Sequence, residues 1–346
     1  MSRWIDNSLA DRLYMVNQVS ETKNIDPESV EKDWWVTMVL KAVFGMSMAR
    51  YAYFKGGTSL SKGWNLINRF SEDIDIALYR EFFLTERKLA CARCESNNQV
   101  MMLRKASRDY IHGEFKMDLE WRMKEMGFDV SVEAVTTHMT TYGEKPIDHD
   151  ADPTVLLVHY PSIFAGNHSY VKPVVKVEIS CLSMREPFEV RRIASLISEE
   201  FATEDDEAVS EIATISPSRT FLEKAFLLCE EYQRRNPRTL RMSRHLYDLE
   251  RMMDTVYGRA ALQSATLYHE IVEHRKKFYH LGGVDYAKDL PEQIAFCPTG
   301  EVRERLRADY ESMRSSFIYG ETLNFDALME RIEELQERFH LVQTEE

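Results

Sequence analysis

The chain has 346 residues, of which 44% are hydrophobic, and this is enough apolar sequence to bury one large core or two moderate ones. Its 57 acidic residues outnumber its 44 Lys and Arg, and the net charge of −13 argues against nonspecific nucleic-acid binding over the whole surface, because neutralising phosphates needs clustered basic residues. The sequence has no run of about 18 apolar residues, no N-terminal segment like a signal peptide and five irregularly spaced cysteines, so we expect a cytoplasmic protein with no membrane partner.

The first long predicted element is a buried helix. Asp26 stands at its N-cap and Pro27 at its first helical position, and an apolar run at helical spacing follows. The large side chains of this run are expected in the core rather than in a ligand site: Trp34, Trp35, Met38 and Val39.

A strand, a glycine turn and a second helix are predicted next. Residues 51–54 have the composition of a short strand, and 58–67 that of a helix entered through Gly56 and Gly57. Backbone N–H groups at the start of a helix are suited to binding phosphate. The turn is therefore a candidate phosphate-binding element.

Two aspartates follow at a spacing typical of one strand face. In the stretch DIDIAL, Asp73 and Asp75 project on one side while Ile74 and Ile76 point into the core. Carboxylates about 6 to 7 Å apart repel each other unless a cation lies between them, and oxygen ligands suit Mg²⁺ or Mn²⁺. A solvated strand edge would explain this tripeptide alone, but the neighbouring glycine turn favours a metal site.

Further strands predict a sheet, and one of them carries a third carboxylate. Residues 128–142 have the composition of a strand or hairpin, and 154–160 that of a strand. The segment 173–180, PVVKVEIS, alternates so that Glu178 lies on its polar face. Glu178 is therefore available to a site formed with the two aspartates, although a strand glutamate is more often simply exposed to solvent.

The C-terminal part is predicted to be helical. An acidic run at 199–211 is interpreted as the connection between a domain at 1–205 and a helical domain at 206–346. A helix begins after Ser216, a candidate N-cap. Four more segments have helical periodicity: 239–258, 266–280, 299–317 and 324–342.

These elements predict an α+β fold, in which a mixed sheet is flanked by helices and followed by a C-terminal helical domain. The helical part is not uniformly acidic, because eight Lys or Arg and five acids lie between Arg219 and Arg251. This stretch either lines a basic groove or forms a solvated helix face, and the sequence favours neither.

Six segments carry recognisable motifs over most of 31–254 and are, in chain order, VEKDWWVTMVL, KGGTSLSKGW, RFSEDIDIAL, VKVEIS, TFLEKAFLL and SRHLYDLERM. In this order they resemble the AbiEii/AbiGii toxin family, nucleotidyltransferase-like proteins of the DNA polymerase beta-like nucleotidyltransferase superfamily. A glycine turn or a DxD alone would be a weak signal, whereas their order along the chain makes the resemblance specific. It implies a nucleotidyltransferase-like sheet and fold.

The resemblance implies roles for the residues of the first two motifs. The first motif would hold the triphosphate of an NTP through backbone N–H groups and a helix N-terminus, and the second would bind metal. The matching positions are Gly56, Gly57 and Thr58 in the first motif, and Ser71, Asp73 and Asp75 in the second. Thr58 stands where the superfamily usually has Ser, which keeps the hydroxyl.

Three later residues complete the site that the resemblance implies. Glu178 would bind the catalytic metal and help to deprotonate the attacking hydroxyl, although many superfamily members have Asp at this position. Lys224 would pair with nucleotide phosphate, and Asp248 matches the last motif. Without the resemblance, Lys224 could be a helix-surface lysine, and Asp248 is equally well explained as a structural partner of Arg244, four residues earlier on the same helix.

The function implied by the resemblance is metal-dependent transfer of a nucleoside monophosphate from NTP to RNA, with tRNA ends as a candidate acceptor and Mg²⁺ or Mn²⁺ as the metal. The protein would be the toxin of a type IV toxin–antitoxin or phage-defence pair, and its antitoxin would be a separate protein. Two alternatives stay open: an NTP-binding sensor that performs no transfer, and nucleotidyl transfer to a protein hydroxyl.

Overall fold

The computed structural model describes residues 3–140, 143–164, 171–206 and 208–343. The chain divides into two compact units, which are unit 1 (Met1–Gly63 and Ser71–Thr214) and unit 2 (Trp64–Phe70 and Ile215–Glu346). Each unit is therefore built from two separate stretches of sequence. The predicted domains at 1–205 and 206–346 stay a prediction.

Unit 1 is built on a mixed sheet. The strands are β1 Ala52–Lys55, β2 Ile74–Leu78, β3 Ser131–Ala134, β4 Thr137–Thr140, β5 Gly143–Pro146, β6 Thr154–His159, β7 Val174–Ser180, β8 Phe188–Ala194 and β9 Val209–Ile215. Seven strands form one sheet in the order β3-β6-β7-β2-β1-β9-β8, and β4 pairs with β5 separately. Strand β2 runs parallel to β7 and antiparallel to β1. The predicted α+β fold class is confirmed.

Helices surround this sheet. They are α1 Leu9–Lys23, α2 Pro27–Phe44, α3 Gly56–Lys62, α4 Glu81–Thr85, α5 Asn97–Tyr110, α6 Lys116–Glu125 and α7 Leu196–Glu200. Helix α2 begins as predicted, because Pro27 is its first residue and the Asp26 carboxylate accepts the Glu28 N–H. Its Trp34 and Trp35 are buried, and the helix packs against β7. The core predicted for this helix is confirmed.

Two predictions for unit 1 need correction, and two strands of its sheet were not predicted. The helix predicted at 58–67 begins at Gly56 and ends at Lys62, because the Gly63 N–H closes its last turn on the Ser59 carbonyl at 2.9 Å. Strand β8 is absent from the sequence-based prediction. The acidic run at 199–211 is only partly a connection, since α7 ends and β9 begins within it.

One acid of that run has a structural role. Asp205 is fully buried and accepts hydrogen bonds from the Trp4 backbone N–H at 3.0 Å and from Trp34 Nε1 at 3.0 and 3.1 Å. It therefore anchors helix α2 instead of facing solvent. Glu207 of the same run, and Tyr142 at the end of the predicted hairpin, lie outside the described residues.

Unit 2 is helical, as predicted for the C-terminal part. Its helices are α8 Pro217–Tyr232, α9 Ser243–Met253, α10 Val256–Gln263, α11 Ala265–Phe278, α12 Gly300–Ser316 and α13 Phe325–His340. Helix α8 packs against α9, α10 and α11 and buries Phe221 and Phe226. Within the described part of the chain, no helix has both the length and the apolar character needed to cross a membrane.

Unit 2 also buries charged groups in its core. Glu230 on α8 accepts two hydrogen bonds of 2.5 Å from the Arg275 guanidinium on α11. Asp289 is fully buried, and the Tyr268 hydroxyl donates to its backbone carbonyl. Burial first, and then the nearby Glu230 carboxylate, raise the pKa of Asp289 to about 8.

Candidate active site

The central strands bring two of the predicted carboxylates side by side. Strands β2 and β7 are parallel neighbours, and Asp75 and Glu178 are register partners. Ile74 and Ile76 are fully buried, so the carboxylates project from the opposite face of β2. Asp73 lies directly before β2, on the same side as Asp75. Their roles as metal ligands stay predictions.

Gly56 lies against one of these carboxylates. Its φ of +79° is a conformation that L side chains rarely adopt, and a Cβ at this position would lie 2.0 Å from Asp75 Oδ2. Only glycine allows the backbone and the carboxylate to approach so closely. The predicted glycine turn, at the start of α3, is therefore next to the predicted metal motif.

Thr58 connects the first motif to the second. Its buried hydroxyl donates to the Asp73 backbone carbonyl at 2.5 Å and lies 2.9 Å from Ser71 Oγ. The side chains of Thr58 and Ser71 therefore hold the loop that places Asp73 before β2. This is a positioning role for the two hydroxyls, and any contact of theirs with nucleotide stays a prediction.

An ammonium group lies among the carboxylates. The Lys176 ammonium forms an ion pair with Glu178 Oε1, and its Nζ is 3.9 Å from Asp73 Oδ2. Among residues 3–140, 143–164, 171–206 and 208–343, no three or more His, Cys, Asp or Glu side chains form a group that could hold a metal. The carboxylates are thus arranged around Lys176 rather than around a ready-made metal position.

The electrostatics of this cluster follow from the same contacts. Burial disfavours the charged form of Lys176, but the carboxylates of Glu178 and Asp73 outweigh it and raise the lysine pKa. Burial likewise opposes ionisation of Glu178, yet the Lys176 ammonium and a hydrogen bond with Asp75 lower its pKa. The cluster therefore holds an ionised Glu178 against a charged lysine.

The chemistry of these side chains, as distinct from their arrangement around Lys176, suits a divalent cation. The predicted ligands are carboxylates, whose oxygens Mg²⁺ and Mn²⁺ prefer, and the Lys176 ammonium supplies a positive charge at the same place. A second lysine, Lys55, is the register partner of Asp75 on β1, but its Nζ donates to Ser183 Oγ at 2.8 Å. Lys176 is the cation that forms an ion pair with Glu178.

The other two predicted residues meet in unit 2. Asp248 is fully buried and accepts hydrogen bonds from Arg69 Nε at 2.7 Å and Arg69 Nη2 at 2.8 Å. Lys224 Nζ lies 2.8 Å from Asp248 Oδ2. Arg69 and Lys224 therefore share one carboxylate in a site from which water is largely excluded. Lys224 is buried rather than on the helix surface.

Burial and charge perturb every member of this cluster. Burial would raise the pKa of Asp248, but Arg69 and Lys224 hold it far below its usual range. Burial lowers the pKa of Lys224 despite the adjacent Asp248. Burial and the Lys224 ammonium also lower the pKa of His245 well below its usual value. Its neutral ring places Nδ1 3.5 Å from Lys224 Nζ as an acceptor.

Two members of these clusters were missed by reasoning from the sequence. Lys176 stands two residues before Glu178, so strand alternation alone places both on one face. Arg69 lies between the glycine turn and the aspartates, where nothing in the sequence points to a partner on α9. The first could have been found from spacing, and the second could not.

Comparisons with known proteins identify similar sequences and structures. The family model described as "Nucleotidyl transferase AbiEii toxin, Type IV TA system" matches residues 46–331. Among solved structures, MenT4, a nucleotidyltransferase toxin from Mycobacterium tuberculosis H37Rv, is similar at 14% identity and a TM-score of 0.43, covering 97% of this chain and 99% of that chain. No curated protein matched the chain.

Proposed function

The chain belongs to the AbiEii family of nucleotidyl transferase toxins of type IV toxin–antitoxin systems, and from this membership we propose that it transfers a nucleoside monophosphate from NTP to an RNA acceptor. The first acceptor to test is the end of tRNA. The observation that carries the proposal is the pairing of Asp75 with Glu178 on adjacent parallel strands, with Gly56 packed against Asp75.

The carboxylates of unit 1 have the central part in this proposal. Asp73, Asp75 and Glu178 would hold Mg²⁺ or Mn²⁺, which when bound would activate the acceptor hydroxyl and neutralise charge on the phosphates. Glu178 is ionised and can accept the hydroxyl proton. Gly56 and its neighbour Gly57 would present backbone N–H groups to the triphosphate, because the glycines leave the backbone uncovered.

The buried cluster of unit 2 has a proposed supporting role. Lys224 carries the charge that the family resemblance assigns to nucleotide phosphate, and Asp248 fixes the position of its ammonium. Arg69 donates hydrogen bonds to both oxygens of the same carboxylate. Asp248 is therefore proposed as a positioning residue, with Lys224 as the residue that contacts phosphate.

Labelling of RNA tests the proposal. The protein is incubated with each α-labelled NTP, Mg²⁺ and total cellular RNA, and we expect label on RNA, resolved by size to identify tRNA. Asp75→Asn should reduce labelling by about a thousandfold or more, since it removes a carboxylate charge from the proposed metal site. Asp129→Asn, at an exposed position before β3, makes the same chemical change and should leave labelling unchanged. An absence of label on RNA with every NTP contradicts the proposal.

Two other functions make different predictions in the same assay. Transfer to a protein hydroxyl would place the label on protein instead of RNA. A sensor without transfer would bind NTP in calorimetry but produce no labelled product, and its affinity would not change in Glu178→Ala. The ion pair of Glu178 with Lys176 is the observation that keeps the sensor in consideration, because it engages the proposed base.

The proposed biological partner is a separate antitoxin. Family membership implies a type IV pair, in which toxin and antitoxin are distinct proteins. We expect expression of this chain alone to stop growth, co-expression of a neighbouring gene to restore it, and the double variant Asp73→Asn, Asp75→Asn to be harmless. Equal toxicity of the double variant would show that the carboxylates do not carry the activity.

A further inference from the structure

We infer that Lys176 is a built-in counter-cation of the carboxylate site, which a divalent metal must displace before it can bind. The inference rests on the proposed function for the identity of the metal site. Its test measures metal affinity and does not need catalytic activity. It concerns a residue to which neither the motifs nor the family resemblance gives a role.

The position of Lys176 supports this role. It precedes Glu178 by two residues on β7, so strand alternation directs both side chains to the face that also carries Asp75. Its ammonium contacts Glu178 and lies 3.9 Å from Asp73 Oδ2. The lysine thus connects carboxylates from two sequence segments that would otherwise repel each other.

An ammonium and a divalent cation cannot both occupy this position. Both are attracted by the same carboxylate oxygens, and they repel each other at the distances the site allows. The ammonium supplies one positive charge and only hydrogen bonds, whereas Mg²⁺ or Mn²⁺ supplies two charges and direct coordination. Metal binding must therefore release the Lys176 side chain from Glu178.

The Lys176 side chain is free to make this exchange. It is 39% exposed and ends a flexible four-carbon stem, so it can move into solvent without unfolding the strand. Lys55, by comparison, has its ammonium on Ser183 and would stay in place. The expected consequence is that Lys176 weakens metal affinity in the absence of nucleotide. The site would then load with metal only when the metal concentration, or a bound metal–nucleotide, is sufficient.

Mn²⁺ titration followed by electron paramagnetic resonance tests the inference on the full-length protein. We expect Lys176→Gln to lower the Kd for Mn²⁺ by about tenfold, which corresponds to about 1.4 kcal/mol. Lys176→Arg keeps the charge and should retain the wild-type Kd within about twofold. Lys124→Gln removes the same charge from an exposed position on α6 and should also leave the Kd unchanged.

The outcomes separate this inference from the proposed function. Tighter Mn²⁺ binding in Lys176→Gln supports the inference even if RNA is never labelled. Labelled RNA together with an unchanged or weaker Kd in Lys176→Gln overturns the inference alone. Absence of Mn²⁺ binding in all four proteins overturns it as well. If Lys176→Gln loses its circular-dichroism signal, Lys176→Met is titrated instead, with the same expected decrease in Kd and the same overturning result.

Discussion

The buried ion cluster of unit 2 gives the sharpest stability prediction, for Asp248→Asn. The change keeps the side-chain volume but removes the negative charge of the carboxylate. Two nitrogens of Arg69 and the ammonium of Lys224 lie 2.7 to 2.8 Å from its oxygens. Removing one partner of a buried ion pair costs about 3 to 5 kcal/mol, because the remaining charge stays desolvated. Since burial already lowers the pKa of Lys224, this lysine can lose its proton and limit the penalty. We therefore expect the free energy of unfolding to fall by about 3 kcal/mol, at the lower end of that range.

Urea unfolding at neutral pH measures this loss, and unit 2 offers a matched control. Asp254 also pairs with two arginines, Arg331 and Arg338, but it is 54% exposed. Asp254→Asn should therefore cost about 1 kcal/mol or less. If Asp248→Asn loses no more free energy of unfolding than Asp254→Asn, burial does not strengthen the cluster and the reasoning is refuted.

The pH dependence gives a second readout of the same cluster. The pKa of Asp248 in the folded protein lies below its ordinary value of 3.8, so its stabilisation is complete above that value and is lost as the pH falls through the folded pKa. The difference between wild type and Asp248→Asn should not shrink between about pH 8 and about pH 5, where any loss of the Lys224 proton in the variant can only make it grow as the pH falls, and it should shrink only below about pH 4. A difference that shrinks already at pH 6 would contradict the assignment.

Three further changes have defined expected outcomes. Because burial raises the pKa of Asp289 to about 8, the contribution of this residue to stability should fall with rising pH between about pH 4 and pH 8, by up to about 1.4 kcal/mol per pH unit, and Asp289→Asn should remove that contribution from the slope in urea titrations. Gly56→Ala should abolish RNA labelling, because its Cβ would displace the Asp75 carboxylate. Gly127→Ala, at a similar φ of +84° with its nearest contact at 3.7 Å, should cost only about 1 kcal/mol of stability and keep activity. Thr58→Val should lower labelling and cost about 1 to 3 kcal/mol, because it leaves a buried carbonyl without its donor, whereas Thr58→Ser should restore both.

Each of these expectations can fail clearly. Parallel pH profiles for Asp289→Asn and wild type would show that this carboxyl ionises normally. Full RNA labelling by Gly56→Ala would show that the glycine turn is not needed for activity. If Gly127→Ala were as inactive as Gly56→Ala, the loss could not be assigned to the glycine turn. Full activity of Thr58→Val would show that its hydroxyl does not position the loop before β2.

The sequence predicted the elements with strong local signals. Helix α2 has a complete N-terminal signal in Asp26 and Pro27, and β7 alternates strictly from Val174 to Ile179, which places Glu178 on its polar face. Strand β8 lacks such a signal, because it lies at the edge of the sheet and carries exposed charged residues between Phe188 and Ala194. Strand β9 was not predicted because it begins within the acidic run at 199–211, which was interpreted as a connection between domains. Its Ile212 and Ile215 are nevertheless buried.

The contacts around the candidate site were predictable only in part. The glycine turn and the aspartates were recognised as motifs, and the register of β2 and β7 shows how Asp75 and Glu178 become neighbours. The pairing of Arg69 with Asp248 joins two positions that are 179 residues apart, and no local sequence pattern predicts it. Long-range ion pairs of this kind follow from tertiary packing, so they are invisible to helical or strand periodicity.

The short segment Trp64–Phe70 has a consequence for biosynthesis, because it belongs to unit 2 although it is translated before most of unit 1. Arg69 leaves the ribosome 179 residues ahead of Asp248, the carboxylate that neutralises it. A product that terminates before Asp248 keeps a guanidinium without this carboxylate, whereas a C-terminal fragment that lacks Arg69 pairs Asp248 with Lys224 alone. The complete cluster of Arg69, Lys224 and Asp248 therefore requires a chain that is translated past Asp248.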